Sequence, residues 1–258
     1  MDFSIKRQRK YHYIEAGEGP VLILLHGLFG ALSNWKEVLE KLSTKYKVVI
    51  PLMPIYDLPL LLTNVSNLAK FIRRFIKYKG YTRYSLIGNS LGGHVALIYV
   101  TKYPEDVFRL VLTGSSGLYE NTMGGTFPRR EDYDFIKAKV EFTFYDPKSA
   151  SKELVDEVYE IVNNRGKLLR ILALAKSAIR HNMSKELANI QIPTCLIWGK
   201  QDNVTPKDVA GDFHKLMPHN ELFWIDNCGH AAMMEQPEAF NNIISEWLDK
   251  QYKDEPKV

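Results

Sequence analysis

The stretch "SLIGNSLGGHVAL", residues 85–97, decides how the rest of the chain is organised. An apolar run leads into Gly88-Asn89-Ser90-Leu91-Gly92, and a segment bearing Val95, Ala96 and Leu97 follows. That order predicts a strand, a sharp turn and a helix, with Ser90 at the seam. Serine suits neither a strand nor a helix interior, so secondary structure does not account for it. The G-x-S-x-G spacing does. Its glycines let neighbouring segments close on a tight turn, which lifts the hydroxyl above the sheet. The hydroxyl then stands at a helix N-terminus, whose dipole favours developing negative charge. Five residues alone make a weak signal; the strand-turn-helix context gives it weight.

Outward from this stretch lie five similar apolar runs: "VLILL" (21–25), "KVVI" (47–50), "RLVLT" (109–113), "TCLIW" (194–198) and "ELFWI" (221–225). Together with "YSLI" (84–87) they are short and nearly continuous, as strands buried on both faces are. Helical patterns separate them. Residues 33–42 place Trp35, Val38, Leu39 and Leu42 on one face. Residues 64–80 place Leu68, Phe71, Ile72 and Phe75 on a stripe that ends at Gly80, and Phe240, Ile243, Ile244 and Trp247 mark a last helix. The alternation predicts an α/β fold with a mostly parallel central sheet flanked by helices. It breaks between residues 118 and 189, where charged, aromatic and helical segments contain no buried-strand run. The expected organisation is a core of residues 1–117 and 190–258, carrying a mainly helical cap at 118–189 over the carboxyl edge of the sheet.

The 258 residues suffice for one large domain with an insertion. A hydrophobic fraction of 45%, a charged fraction of 25% and a net charge of +4 are those of an ordinary soluble protein. They exclude a strongly basic nucleic-acid binder. The cluster "KRQRK" (6–10) reads as a solvated strand edge. No run reaches signal-peptide or membrane-spanning length, so the expectations are a cytoplasmic location, a small-molecule substrate and no nucleic-acid or membrane partner. The oligomeric state is not legible. Cys195 and Cys228 fall at opposite edges of the predicted sheet and should not pair.

A serine hydroxyl is a weak nucleophile until a base takes its proton and an acid orients that base. Of seven histidines, His230 alone follows a strand through a loop at the sheet's carboxyl edge, in "ELFWIDNCGH". His94 falls one turn into the helix after Ser90 and should pack there, and His26 should be a structural hydrogen bonder. Asp202, past the strand "TCLIW", and Asp226, four residues before His230, compete to orient the base. The chain order Ser90, Asp202, His230 favours Asp202. "LLHGLFG" (24–30) supplies the backbone for an oxyanion hole, whose donors should be the N–H groups of Leu28 and Leu91, with Phe29 second to Leu28. No metal cluster or cofactor motif occurs, so no cofactor and no metal are expected.

With "HGLFG", "GNSLGGH", "IWGKQDNVTP" and "CGHAAMMEQPEAF" in register, the chain resembles the α/β-hydrolase superfamily over nearly its whole length. The resemblance implies the α/β-hydrolase fold. Serine at position 90 sets the chain apart from the haloalkane dehalogenase and epoxide hydrolase branches, which carry an aspartate there. Residues 142–162, "FTFYDPKSASKELVDEVYEIV", are similar to the cap of the meta-cleavage-product hydrolases, which cut carbon–carbon bonds. The chain departs from that group at Val158, where a cap arginine is usual, and at Ala231, where an aromatic is usual. "PLMPIYDLP" (51–59) also departs from the wider family, which carries an aspartate and a glycine-bearing loop after that strand. The implied function is a carboxylesterase-like serine hydrolase acting on a small, partly apolar ester or thioester through an acyl-enzyme. Phe29, Phe142, Phe144 and Tyr145 are the expected substrate wall. Carbon–carbon hydrolysis and a non-catalytic ligand receptor on the same fold are the alternatives.

Overall fold

The computed structural model describes residues 3–29, 33–120 and 129–253; Gly30 of the "LLHGLFG" loop lies outside them. Among the described residues eight strands form one sheet in the order β1-β2-β4-β3-β5-β6-β7-β8. They are β1 (Lys6–Gln8), β2 (Tyr11–Ala16), β3 (Val21–Leu25), β4 (Lys47–Pro51), β5 (Tyr84–Asn89), β6 (Val107–Thr113), β7 (Thr194–Gly199) and β8 (Asn220–Ile225). Strands β3 to β8 pair in parallel, whereas β1–β2 and β2–β4 pair antiparallel. All six predicted strands are present. The N-terminal antiparallel pair extends the sheet, and β1 is exposed along its length, as a basic edge should be.

The continuous apolar runs follow from burial on two faces. Along β3, Leu22 and Leu24 join one apolar cluster, while Ile23 and Leu25 join the other. In β7, Leu196 and Trp198 alternate with Cys195 and Ile197 in the same way. One face is covered by α2 (Val65–Lys79), α3 (Leu91–Lys102) and α8 (Lys207–Leu216). The other is covered by α1 (Lys36–Leu42), α9 (Ala232–Glu235) and α10 (Pro237–Lys253). Helix α2 starts at the side-chain cap of Asn64 and stops at Gly80, whose φ of 71° is left-handed. Strand β8 departs from the expectation of two-faced burial. It is the sheet's last strand, most of it is half-buried, and Trp224 is exposed.

Between β6 and β7 the described chain forms α4 (Tyr133–Glu141), α5 (Lys152–Asn163), α6 (Arg165–Arg180) and α7 (Ser184–Leu187), and no strand. Ile136, Val140, Val155, Val158 and Val162 of α4 and α5 join the α10 side of the core. Leu174, Ala178 and Leu187 of α6 and α7 join the α2 side. Cys195 in β7 and Cys228 beyond β8 are buried and unpaired. No described helix is long and apolar enough to cross a membrane.

Candidate active site

Strand β5 ends at Asn89, and Ser90 takes φ 53° and ψ −121° before α3 begins at Leu91. A non-glycine residue in that region is strained by about 1–3 kcal/mol and persists only where its surroundings hold it. Here they do. Ser90 N donates to Thr113 O at 3.1 Å, and Ser90 O accepts from His94 N and Ser116 N at 3.1 and 3.2 Å. The flanking glycines are steric necessities. A Cβ at Gly92 would stand 2.1 Å from Leu25 O, and one at Gly88 would stand 2.6 Å from the Gly92 and Gly93 backbone.

His230 and Asp202 meet in the loops after β8 and β7. His230 Nδ1 donates to Asp202 Oδ2 at 2.9 Å, and both side chains are almost wholly buried. The carboxylate is saturated with donors. Oδ1 accepts from Val204 N (2.8 Å) and Thr205 N (2.9 Å), and Oδ2 also accepts from Thr205 Oγ1 (2.8 Å). Burial opposes a charged imidazole, but the adjacent Asp202 carboxylate and its hydrogen bond outweigh burial and hold His230 above the usual histidine value. Asp226 is elsewhere. Its side chain is 68% exposed and pairs with Lys200 at 2.6 Å. Ser90 and His230 make no direct hydrogen bond to each other among the described residues; their loops are joined instead through Asn89, whose Nδ2 donates to Thr113 O (3.1 Å) and His230 O (3.4 Å). Gly114 gives the imidazole room, because a Cβ there would lie 2.9 Å from His230 Nδ1.

The loop after β3 lies against Ser90. A Cβ at Gly27 would be 3.5 Å from Ser90 Cβ. The N–H groups of Leu28 and Leu91 are not spent on any turn, loop or cap bond among the described residues. His26 locks the loop. Its Nε2 accepts from Met53 N at 3.0 Å, so Nδ1 carries the proton and donates to Gly27 O at 2.8 Å. Burial pushes His26 down to about 4, which keeps it neutral. Tyr56 Oη donates to Leu28 O at 2.9 Å. The apolar stretch 51–59 therefore braces this loop. His94 is fully buried, contacts His181 at 3.1 Å, and is pushed down to about 3 by burial and by that neighbour.

Residues 142–146 reach the histidine loop. His230 N donates to Thr143 O at 2.9 Å. Glu235 accepts from Tyr145 N (2.6 Å) and Gly229 N (2.8 Å), so one carboxylate ties the two segments together. Of the expected wall, Phe144 is buried, Phe29 is half-buried, and Phe142 and Tyr145 are exposed at 43% and 47%. Val158 is buried in the apolar cluster on the α10 side of the core. Sequence reasoning missed Asn89, Thr205, Tyr56 and Glu235. Thr205, three residues after Asp202 in "DNVT", carried a signal, since an aspartate often takes hydrogen bonds from the turn that follows it. The others carried none.

A serine-bearing turn, a buried imidazole–carboxylate pair and two N–H groups left unspent among the described residues, all on one sheet edge, are suited to acyl transfer. A family model described as "Alpha/beta hydrolase family" matches residues 22–243. The chain is 26% identical to 2-hydroxy-6-oxononadienedioate/2-hydroxy-6-oxononatrienedioate hydrolase 2 of Pseudomonas putida, over 92% of this chain and 91% of that protein. It is also 26% identical to the Mus musculus monoacylglycerol lipase ABHD6, over 90% of this chain and 76% of that one. Among solved structures it is similar to MGS-MChE2, an alpha/beta hydrolase enzyme from the metagenome of lagoon sediments at Mar Chica, Morocco. The identity is 46% and the TM-score 0.80, with 96% of this chain and 99% of that one covered.

Proposed function

The chain belongs to the alpha/beta hydrolase family, and from that premise we propose that it is a serine hydrolase cleaving a small, partly apolar ester or thioester through an acyl-enzyme. One observation carries the reading. Ser90 is held at φ 53° on a helix N-terminus, on the sheet edge where His230 and Asp202 pair at 2.9 Å. Ser90 Oγ attacks the carbonyl carbon as His230 Nε2 takes its proton. The carbonyl electrons move onto oxygen, which the N–H groups of Leu28 and Leu91 receive. Collapse of the tetrahedral species breaks the bond to the alcohol or thiol, and that leaving group takes the proton from His230. Water then attacks the acyl-enzyme by the same route. Asp202 keeps the His230 proton on Nδ1, so that Nε2 is free to accept.

In this reading residues 1–117 and 190–258 are the catalytic core and 118–189 the lid. Its 142–146 stretch is bonded to the histidine loop, which supports the placing of Phe142, Phe144 and Tyr145, with Phe29, near the acyl group. The Pseudomonas relative supports a second reading, carbon–carbon hydrolysis of a dienoate. That substrate needs a cation for its carboxylate, and Val158 supplies none. A fluorophosphonate label tests the nucleophile, and its attachment to Ser90 is the expected result. Neutral p-nitrophenyl esters should then exceed a meta-cleavage dienoate in kcat/KM. The opposite ranking selects the carbon–carbon reading, and no labelling at Ser90 removes both.

A further inference from the structure

One side of α6 and the turn before α2 form a single apolar, cationic surface. Along α6 the exposed residues are Arg165, Leu169, Leu172, Lys176, Ile179 and Arg180. Their spacing keeps them on one side of a 3.6-residue helix, while Ile171, Leu174 and Ala178 on the other side are buried. Leu169, Leu172 and Ile179 are 43%, 39% and 48% exposed. They are not core. Next to them, Leu60, Leu61 and Leu62 form a 3-10 turn in which they are 45%, 96% and 52% exposed. The turn contacts α6 and its flanks are bonded there. Arg170 Nε donates to Leu58 O at 2.7 Å, and Val65 N donates to Ser177 Oγ at 3.2 Å. Of the eleven large hydrophobic side chains exposed among the described residues, six lie on these two elements. Clustering of that kind marks an interaction surface, whereas scattered apolar side chains do not.

The charge around the patch selects the partner. Residues 161–185 contain six lysines and arginines and no aspartate or glutamate. Aliphatic side chains beside the exposed cations Lys176 and Arg180 match an anionic lipid surface, where the apolar groups enter the headgroup–acyl boundary and the cations meet phosphate. A second copy laid on the patch about a two-fold axis would set the same cations against each other. We propose that this face docks the protein onto an anionic phospholipid bilayer, through the Leu60–Leu62 turn and Leu169, Leu172 and Ile179, with Lys176 and Arg180 on the headgroups. Docking needs no spanning helix, and it departs from the expectation of no membrane partner. It is independent of the chemistry at Ser90.

Co-sedimentation of the Ser90→Ala protein with phosphatidylcholine vesicles, with and without phosphatidylserine, tests it without lipid turnover. Phosphatidylserine should raise partitioning about tenfold or more, and added salt should lower it. Leu61→Ser with Leu62→Ser should lower binding by about tenfold at low salt, because the apolar contact is lost. In the Ser90 parent the same pair should leave hydrolysis of a water-soluble ester unchanged, which shows that the fold survives. Lys176→Glu with Arg180→Glu should erase the phosphatidylserine effect. Equal recovery with and without phosphatidylserine overturns the proposal, as does leucine-variant binding equal to the parent's. A dimer in sedimentation velocity that Leu61→Ser dissociates also overturns it, in favour of a second copy.

Discussion

Replacing Asp202 by asparagine separates orientation of the base from its mere proximity. Two backbone donors, Val204 N and Thr205 N, sit 2.8 and 2.9 Å from Oδ1 and fix the amide oxygen at that site. The new amide nitrogen then occupies the Oδ2 position, 2.9 Å from His230 Nδ1 and 2.8 Å from Thr205 Oγ1. It donates where the carboxylate accepted. To keep a hydrogen bond, His230 must leave Nδ1 bare and carry its proton on Nε2, and that tautomer cannot take the Ser90 proton. In serine protease triads this wrong-tautomer change lowers kcat about 10⁴-fold, equivalent to about 5.5 kcal/mol of transition-state stabilisation. The fold should survive, since both bonds to Oδ1 remain. Asp226→Asn is the control. Its side chain is 68% exposed and its bond to Lys200 is a surface ion pair of about 0–1 kcal/mol, so kcat should stay within about fivefold of the parent. Initial rates on p-nitrophenyl butyrate, with circular dichroism melts, measure both. An Asp202→Asn protein that is folded and retains a tenth of the parent kcat refutes the reasoning, and a reversed ranking moves the acid to Asp226.

Ser90→Ala should lower kcat on the same ester by about 10⁴- to 10⁶-fold; turnover at the parent rate would remove Ser90 as nucleophile. Ser90→Gly relieves the strain at φ 53° and should raise Tm by about 2–4 °C while abolishing activity, and a lower Tm in calorimetry would show that no strain is stored there. The log of kcat/KM should fall as pH drops through a midpoint above 6.5, because Asp202 stabilises protonated His230 and only the neutral imidazole accepts the serine proton; a profile flat to acid pH would rule out His230 as base. Gly92→Ala puts a Cβ 2.1 Å from Leu25 O and should destabilise the protein by about 3 kcal/mol or more in urea unfolding, and a neutral result would mean that the turn is loose.

Where the signal is local, the sequence carried it. Strand β3 reads as a continuous apolar run because its residues alternate between two covered faces, and Gly80 marks the end of α2 because a left-handed residue is needed there. The spacing of Gly88 and Gly92 about Ser90 is local as well, although the atom that excludes a side chain at Gly92, Leu25 O, belongs to another strand. Strand β8 departs from its local pattern for the converse reason. "ELFWI" is as apolar as the central runs, yet as the last strand of the sheet it lacks a neighbour on one side, and Trp224 stands exposed.

The tertiary structure alone decided what depends on contacts between distant segments. The stretch 51–59 has no pattern of its own; Met53 and Tyr56 acquire a role only because His26 and Leu28 lie within hydrogen-bond reach of them. Asn89 and Glu235 each bond two loops that the chain separates by many residues, so no spacing rule names them. Leu60, Leu61 and Leu62 are as apolar as the leucines of the central strands yet stand exposed, because burial is a property of the assembled surface. Short-range periodicity and backbone sterics specify where the strands, helices and turns form. Which apolar side chains stay in water, and which polar atoms meet across the sheet edge, is set by packing between segments far apart in the chain, and no local pattern encodes it.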